Sequence, residues 1–261
     1  ADKRYTATLK LGVTTTTGDA EGEVLQTRPV TPEQVNADRI AQACERFTGP
    51  IEQVPPMHSA LKHQGKALYE YARAGIDIER PPRSVTLHRI DILNWQGDVL
   101  ELDVQCSKGT YIRTLAQDIG EALGCGAHLI GLRRTGSGGV RLDGAVTLEA
   151  LMAMSEAERD AHLLPADILL NDWPEVLLSE PEAARFLTGL RRRTSLADAP
   201  QVRVYGPHPE PGSHPDRRVL LGSAHIKGGE LIPTRLLSPA EVEGMLTQSA
   251  PSAAVASASE I

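Results

Sequence analysis

Cys106-Ser107-Lys108-Gly109-Thr110-Tyr111-Ile112-Arg113-Thr114-Leu115 joins two different periodicities, and the fold turns on that junction. Upstream, Leu100, Leu102, Val104 and Cys106 alternate with Glu101, Asp103 and Gln105, the period of two that marks a half-buried strand. Downstream, Ile112, Leu115, Ala116, Ile119 and Leu123 form one apolar stripe at helical spacing, with Gly124 placed to end the helix and Thr110 expected as its N-cap. Arg113 is out of place in such a helix, because a cation in the first turn faces the positive end of the macrodipole. An anion should compensate it. Lys108 and the free N–H groups of the helix start also suit phosphate or carboxylate, and Tyr111 adds an aromatic face. A surface turn whose arginine bridges a nearby glutamate explains the same stretch equally well.

Working outward, 261 residues with 41% hydrophobic content can bury a sizeable core and suggest one large domain and one smaller one. The net charge of -7 argues against a protein that coats nucleic acid by bulk positive charge, but leaves room for a local basic groove. Cys44, Cys106 and Cys125 form no C-x-x-C pair, which fits a reducing, cytoplasmic setting. The eight histidines do not fall at metal-ligand spacings, so no metal site is expected. No apolar run approaches membrane-spanning length, and no membrane association is expected. The chain starts Ala1-Asp2-Lys3-Arg4-Tyr5 without methionine and enters a strand pattern at once, so it is expected to be a fragment lacking its natural start.

Tyr5, Ala7, Leu9 and Leu11 share one face of a first strand, and Thr14 to Gly22 forms a polar turn leading to an extended run at Val24 and Leu25. Thr31-Pro32-Glu33-Gln34 reads as a capping box opening a helix through Ile40, Ala43, Cys44 and Phe47. Pro55 and Pro56 force a fixed loop that carries Met57, His58 and Lys62. A helix is predicted over Lys66 to Ala74, then a long hairpin of Val85 to Asn94 and Val99 to Cys106, and a short apolar strand ending in Arg133-Arg134. A boundary is placed near Trp173. Residues 1–172 form the first domain and 173–238 a small β-rich module with a short helix before Arg191-Arg192-Arg193. Residues 239–261 are expected to form a disordered tail, Ser/Ala-rich from Ser249, although a short helix from Pro239 also fits the sequence.

Several chemistries are disfavoured. A Ser-His-Asp hydrolase would need a G-x-S-x-G elbow at a strand-to-helix turn, and Ser107-Lys108-Gly109-Thr110 lacks P-loop spacing. What remains is a set of basic groups near aromatics: Lys62, Lys108, Arg113, Arg133, Arg134 and the triple arginine at 191–193. Such groups suit RNA with an exposed base, although for the triple arginine a solvated surface is the simpler explanation.

Five ordered motifs then resemble the TruB tRNA pseudouridine-55 synthases. They are Lys3-Arg4-Tyr5-x-Ala7 with Leu11-Gly12; Gly18-Asp19-x-x-Gly22; Pro55-Pro56-x-x-Ser59-Ala60-Leu61-Lys62 with Gly65; Cys106 to Thr114; and His128-Leu129-x-x-Leu132-Arg133-Arg134. The resemblance implies an α+β pseudouridine synthase fold, a mixed and largely antiparallel sheet with flanking helices, followed by a PUA-like RNA-binding domain. It implies isomerisation of one uridine in the tRNA T-loop, with the T-arm stem-loop as partner, no cofactor, and a monomer as the working expectation. By that likeness the uridine is flipped out. Tyr5 lies against the base and is the candidate to take a proton, Tyr111 and Leu132 line the uracil pocket, and Arg113 pairs with the catalytic aspartate. Lys62, Lys108, Arg133 and Arg134 are the expected RNA contacts.

One departure is large. The family's nucleophile sits in a Gly-His-Thr-Gly-x-Leu-Asp motif, and no such motif occurs in the chain. Asp2 and Asp19 belong to other motifs, so the nucleophile is expected on an N-terminal segment outside this sequence, and the chain alone is expected to be inactive. His58 and Thr16 also depart from residues common in relatives. The rival class is a non-catalytic RNA-binding or tRNA-folding module.

Overall fold

The computed structural model describes residues 1–165, 167–207, 218–238 and 240–242. Contacts divide the chain into two compact units, Ala1–Ala145 and Val146–Ile261.

The first unit is built on β1 (Lys3–Leu11), which has a strand on either side. It is followed by β2 (Val13–Thr15), β3 (Val24–Thr27), α1 (Ala37–Phe47), β4 (Gly49–Gln53), β5 (Lys62–His63), β6 (Lys66–Ala67) and α2 (Leu68–Arg73). Then come β7 (Arg83–Gln96), β8 (Val99–Cys106), α3 (Ile112–Leu123), β9 (Ala127–Ser137) and β10 (Val140–Arg141). Six of the strands form one sheet in the order β10-β9-β1-β8-β7-β4, with every neighbouring pair antiparallel. The register sets Tyr5 opposite Val104 on one side and Arg134 on the other.

Alternation decides which face is buried. Ala7, Leu9 and Leu11 of β1 join Leu100, Leu102 and Val104 of β8 beneath the stripe Ile112, Leu115, Ile119 and Leu123 of α3. A side chain at Gly120 would press a Cβ to 2.2 Å from the Ala127 backbone nitrogen, so this glycine sets how closely α3 lies on β9. The predicted hairpin is present, turning at Gly97 with φ +60°.

Two helix starts differ from expectation. Helix α1 begins at Ala37, not after Thr31, because Asn36 is the better cap: its Oδ1 accepts the Arg39 N–H at 3.0 Å while its Nδ2 donates to Pro32 O. Helix α3 has Tyr111, not Thr110, at its N-cap; the Thr110 hydroxyl instead donates to Ser107 O at 2.9 Å, closing the Ser-Lys-Gly turn.

The second unit contains α4 (Leu148–Ala153), α5 (Glu156–Ala161), β11 (Glu175–Leu177), α6 (Glu180–Leu187), β12 (Arg192–Arg193), β13 (Ala199–Pro207), β14 (Arg218–Lys227) and β15 (Glu230–Leu236). Its sheet runs β11-β13-β14-β15-β12, with only β11 and β13 parallel. Val176, Leu178, Phe186, Val202, Val204 and Leu231 fill its core. Residues 146–172, assigned by sequence to the first domain, group with this unit. Helices α4 and α5 bury no residue, and Asp167 and Asn171 bond to Tyr205 and Arg203 of β13. The tail from 239, expected to be disordered, is in part ordered: residues 240–242 are helical and Val242 is buried in this unit's core, while the rest of the tail and most of the Pro207–Pro215 loop lie outside the described residues.

Candidate active site

Three segments far apart in sequence meet at Arg113, in the first turn of α3. Its Nη1 donates to Asp19 Oδ2 at 3.0 Å and to Thr17 O at 3.3 Å, and its Nη2 donates to His58 O. The polar turn, the proline loop and the helix start are thereby tied to one guanidinium. The anion that compensates Arg113 within the chain is Asp19, where the family resemblance implies the catalytic aspartate and Asp19 is set aside only as a nucleophile.

Asp19 is itself held. Its Oδ1 accepts the Thr17 hydroxyl and the Glu21 N–H, and its backbone forms a parallel bridge to Leu129 while Gly18 O accepts the Leu129 N–H at 3.0 Å. Gly18 is needed there, at φ +74° and with the Gln117 amide 3.1 Å from where a Cβ would sit. Burial works against ionisation of Asp19, but the Thr17 hydroxyl, the Glu21 N–H and Arg113 together outweigh it and hold the carboxyl below its usual range.

Tyr5 packs half-buried against the core at the start of β1. Leu132, opposite Ala7 on β9, is 48% exposed although Ala7 is fully buried, so an apolar side chain stands open to solvent. Leu132 and Arg133 line an open depression of about 730 Å³ with Thr6, Thr8 and Glu101. Arg134 lies opposite Tyr5 and Arg133 opposite Thr6, so the two arginines point to opposite faces of the sheet. Lys108 is exposed at the tip of the Ser-Lys-Gly turn, and Lys62 is exposed on β5. The structure thus brings Arg113, Asp19, Thr17 and His58 together, whereas Arg133 and Arg134 part to opposite faces of the sheet and Lys62 and Lys108 stand exposed on other segments.

Sequence reasoning left two features unread. Around β5, β6 and α2, Lys66 lies 5.2 Å from the Tyr71 ring and Arg73 5.3 Å from the Tyr69 ring, with His63 edge-on to Tyr71. The alternation of basic and aromatic residues from Lys62 to Arg73 was the available signal. On the sheet, Arg4 grips the buried Asp103 with three bonds of 2.7, 2.8 and 3.0 Å, which neutralises that carboxylate.

The cysteines are buried thiols, and burial pushes Cys44 up to about 11, so none resembles an activated nucleophile. Among the described residues no cluster of three or more His, Cys, Asp or Glu side chains is placed to hold a metal ion. Among them, too, no helix is long and apolar enough to cross a membrane.

The sheet order and the β-rich second unit define an α+β protein of the pseudouridine synthase fold. Its solved likenesses include the protein described as a Cbf5-Nop10-Gar1 complex, with TM-score 0.63 and 22% identity over 93% of this chain and 68% of that one. Another is an H/ACA RNP bound to a substrate RNA containing 2'-deoxyuridine, with TM-score 0.60, 20% identity, and 92% and 67% coverage. The family model for the TruB family pseudouridylate synthase N-terminal domain matches residues 1–112, and that for the tRNA pseudouridylate synthase B C-terminal domain matches residues 113–171. The chain is 55% identical over 245 residues to tRNA pseudouridine synthase B of Ralstonia nicotianae, covering 91% of this chain and 75% of the relative. The protein of that name from Verminephrobacter eiseniae is 50% identical over 250 residues, with 94% and 73% coverage. The chain belongs to the TruB family of pseudouridylate synthases.

Proposed function

We propose that this chain forms the uridine-receiving part of a tRNA pseudouridine synthase acting on uridine 55 of the T-loop, with the aspartate nucleophile supplied from outside these 261 residues. The observation that carries this reading is the fixed guanidinium of Arg113. It is restrained by Asp19 and His58 O at a helix start beside Tyr111, in a chain that shares half its residues with proteins named tRNA pseudouridine synthase B.

Isomerisation breaks the bond from ribose C1′ to uracil N1, turns the base, forms a bond from C1′ to C5, and releases the C5 proton to solvent while N1 takes one up. Electrons balance without a redox partner. The target base must leave its stack, at a cost of about a few kcal/mol that contacts to the rest of the RNA offset. In this reading the base lies against Tyr5, between Tyr111 and Leu132, and Tyr5 is placed to take a proton. Arg113 has five N–H donors and uses three on Asp19, Thr17 O and His58 O, so donors remain for the incoming aspartate. Asp19 then serves as the anchor that aims the guanidinium, not as the nucleophile. Lys62, Lys108, Arg133 and Arg134 meet phosphates of the T-arm, which makes binding salt-dependent despite the acidic total charge.

A second reading, a tRNA-binding module without turnover, is favoured by the lack of a Gly-His-Thr-Gly-x-Leu-Asp motif in the chain. Position-specific mapping of pseudouridine in a tRNA transcript, after incubation with the chain and a nucleophile-bearing segment, separates the two. Modification at position 55 is expected. Modification elsewhere overturns the assigned position, and binding without modification favours the module.

A further inference from the structure

Gln53 ends β4 two residues before the proline loop and is 2% exposed, an unusual place for an amide side chain. Its Oε1 accepts the Tyr111 N–H at 3.0 Å, and its Nε2 donates to Tyr111 O at 3.3 Å. Only one orientation of the amide makes both bonds; the flipped one sets donor against donor and oxygen against oxygen. Tyr111 is the N-cap of α3 and has no side-chain cap of its own. Its N–H lies outside the helix ladder, while its carbonyl also accepts the first helical bond, from the Leu115 N–H at 3.1 Å. Gln53 therefore provides the cap from another strand.

The same segment makes a second tie. Five residues after Gln53, His58 O accepts Arg113 Nη2, two residues after Tyr111. The stretch 53–58 thus clamps the stretch 111–113 at both ends, once through the backbone of Tyr111 and once through the side chain of Arg113.

We infer that Gln53 is a positioning residue: by pairing with both main-chain groups of Tyr111 it fixes the orientation in which the Tyr111 ring and the Arg113 guanidinium meet the target base. This rests on the reading of Tyr111 and Arg113 given above. Loss of the amide leaves the Tyr111 N–H without its partner and its carbonyl with the Leu115 N–H alone, and frees the turn to rotate. Misplacement by about 1 Å costs up to roughly a hundredfold in rate.

The test uses the complete protein carrying the nucleophile segment, with a T-arm stem-loop RNA as substrate. Gln53→Leu is expected to slow single-turnover pseudouridine formation by about 10- to 100-fold while changing RNA affinity less than about threefold. Gln53→Glu gives the sharper signature. A protonated acid reproduces both bonds, whereas the ionised form has no donor and sets charge against Tyr111 O, and burial raises the pKa of the new acid. Its rate relative to wild type should rise as pH falls from about 8 to about 5.5, while that of Gln53→Leu stays flat. Wild-type turnover in Gln53→Leu, or a flat profile in Gln53→Glu, overturns the inference. Should Gln53→Leu fail to fold, the Gln53→Glu profile decides alone. Should the wild type not isomerise uridine at all, the proposed function fails but Gln53 is still tested. Exchange of the Tyr111 amide should then quicken by about tenfold or more in Gln53→Glu at pH 8 relative to wild type, with the α3 core amides unchanged. Equal exchange overturns it.

Discussion

Around Arg113 and around Tyr205 the protein assembles nearly the same kit of arginine, carboxylate and tyrosine, but only at Tyr205 is the tyrosine itself closed in. At Tyr205, 4% exposed, the hydroxyl donates to Asp167, and the guanidiniums of Arg203 and Arg218 stand 5.7 and 4.9 Å from the ring centroid. Arg203 also bonds Asn171 at 2.8 Å, and both arginines pair with Glu175. Two cations meet two anions, and the cluster fastens 167–175 onto β13 and β14. At Arg113 the ion pair leaves the arginine 23% and the aspartate 25% exposed, unused N–H donors remain, and an open leucine stands on β9. Residue types alone do not separate a strut from a site. The ions are no less open at Tyr205, where Arg218 is 47% and Glu175 26% exposed; what differs is that Tyr205 is itself buried with its hydroxyl spent on Asp167.

The contrast breaks most readily at Arg113. Arg113→Met in the complete protein is expected to cut turnover by about a hundredfold or more, because a charge-stabilising donor is lost where charge develops. Thermal unfolding should move little, since a partly exposed pair contributes only about 1 kcal/mol or less. Near-normal turnover would remove Arg113 from the site. Tyr111→Ala should follow with roughly a tenfold loss in rate, larger than its effect on binding an RNA that lacks the target uridine. An equal loss on both RNAs would argue against a role on the flipped base.

Tyr205→Phe is expected to lower the stability of the second unit by about 1–2 kcal/mol with turnover unchanged, read by denaturant unfolding beside the rate assay. A rate loss like that of Arg113→Met would erase the distinction. The two clusters should also fail at opposite ends of the pH scale. Burial first, and then the Asp167 bond, push Tyr205 up to about 12, so the folded state holds that proton more tightly than the unfolded chain does. The stability it gives is complete below the ordinary tyrosine value and drains away as pH rises through about 12. Asp19, held below its usual range, contributes stability above the ordinary aspartate value and loses it as pH falls through its lowered one. Unfolding profiles of Tyr205→Phe and Asp19→Asn against pH check both signs. The smallest effect is expected from ending the chain after Ala145: the first unit should keep its circular dichroism and melting behaviour while T-arm affinity weakens by a few fold.

The strand, turn and helix around Tyr111 were legible because a period of two passes into a period of 3.6 across a glycine. Alternation likewise exposed β1 and the β7–β8 hairpin. What stayed hidden is tertiary. Asp19 lies 94 residues from Arg113, and nothing in Gly18-Asp19-x-x-Gly22 points to that partner. Gln53 reads as an ordinary polar residue before two prolines, since its burial follows only from the position of α3. The start of α1 was misplaced because Thr31 and Asn36 both carry capping signals and only the three-dimensional turn chooses between them. Contacts group residues 146–172 with the second unit through polar ties to β13 that leave no periodic trace in the sequence.

The most direct measurement is tritium release from a T-arm stem-loop RNA labelled at uracil C5, with this chain alone and with a nucleophile-bearing segment added. Release only when the segment is present is the expected result, with Asp19 acting as the anchor of Arg113. Release by the chain alone would contradict it, because an aspartate within these 261 residues would then be the nucleophile.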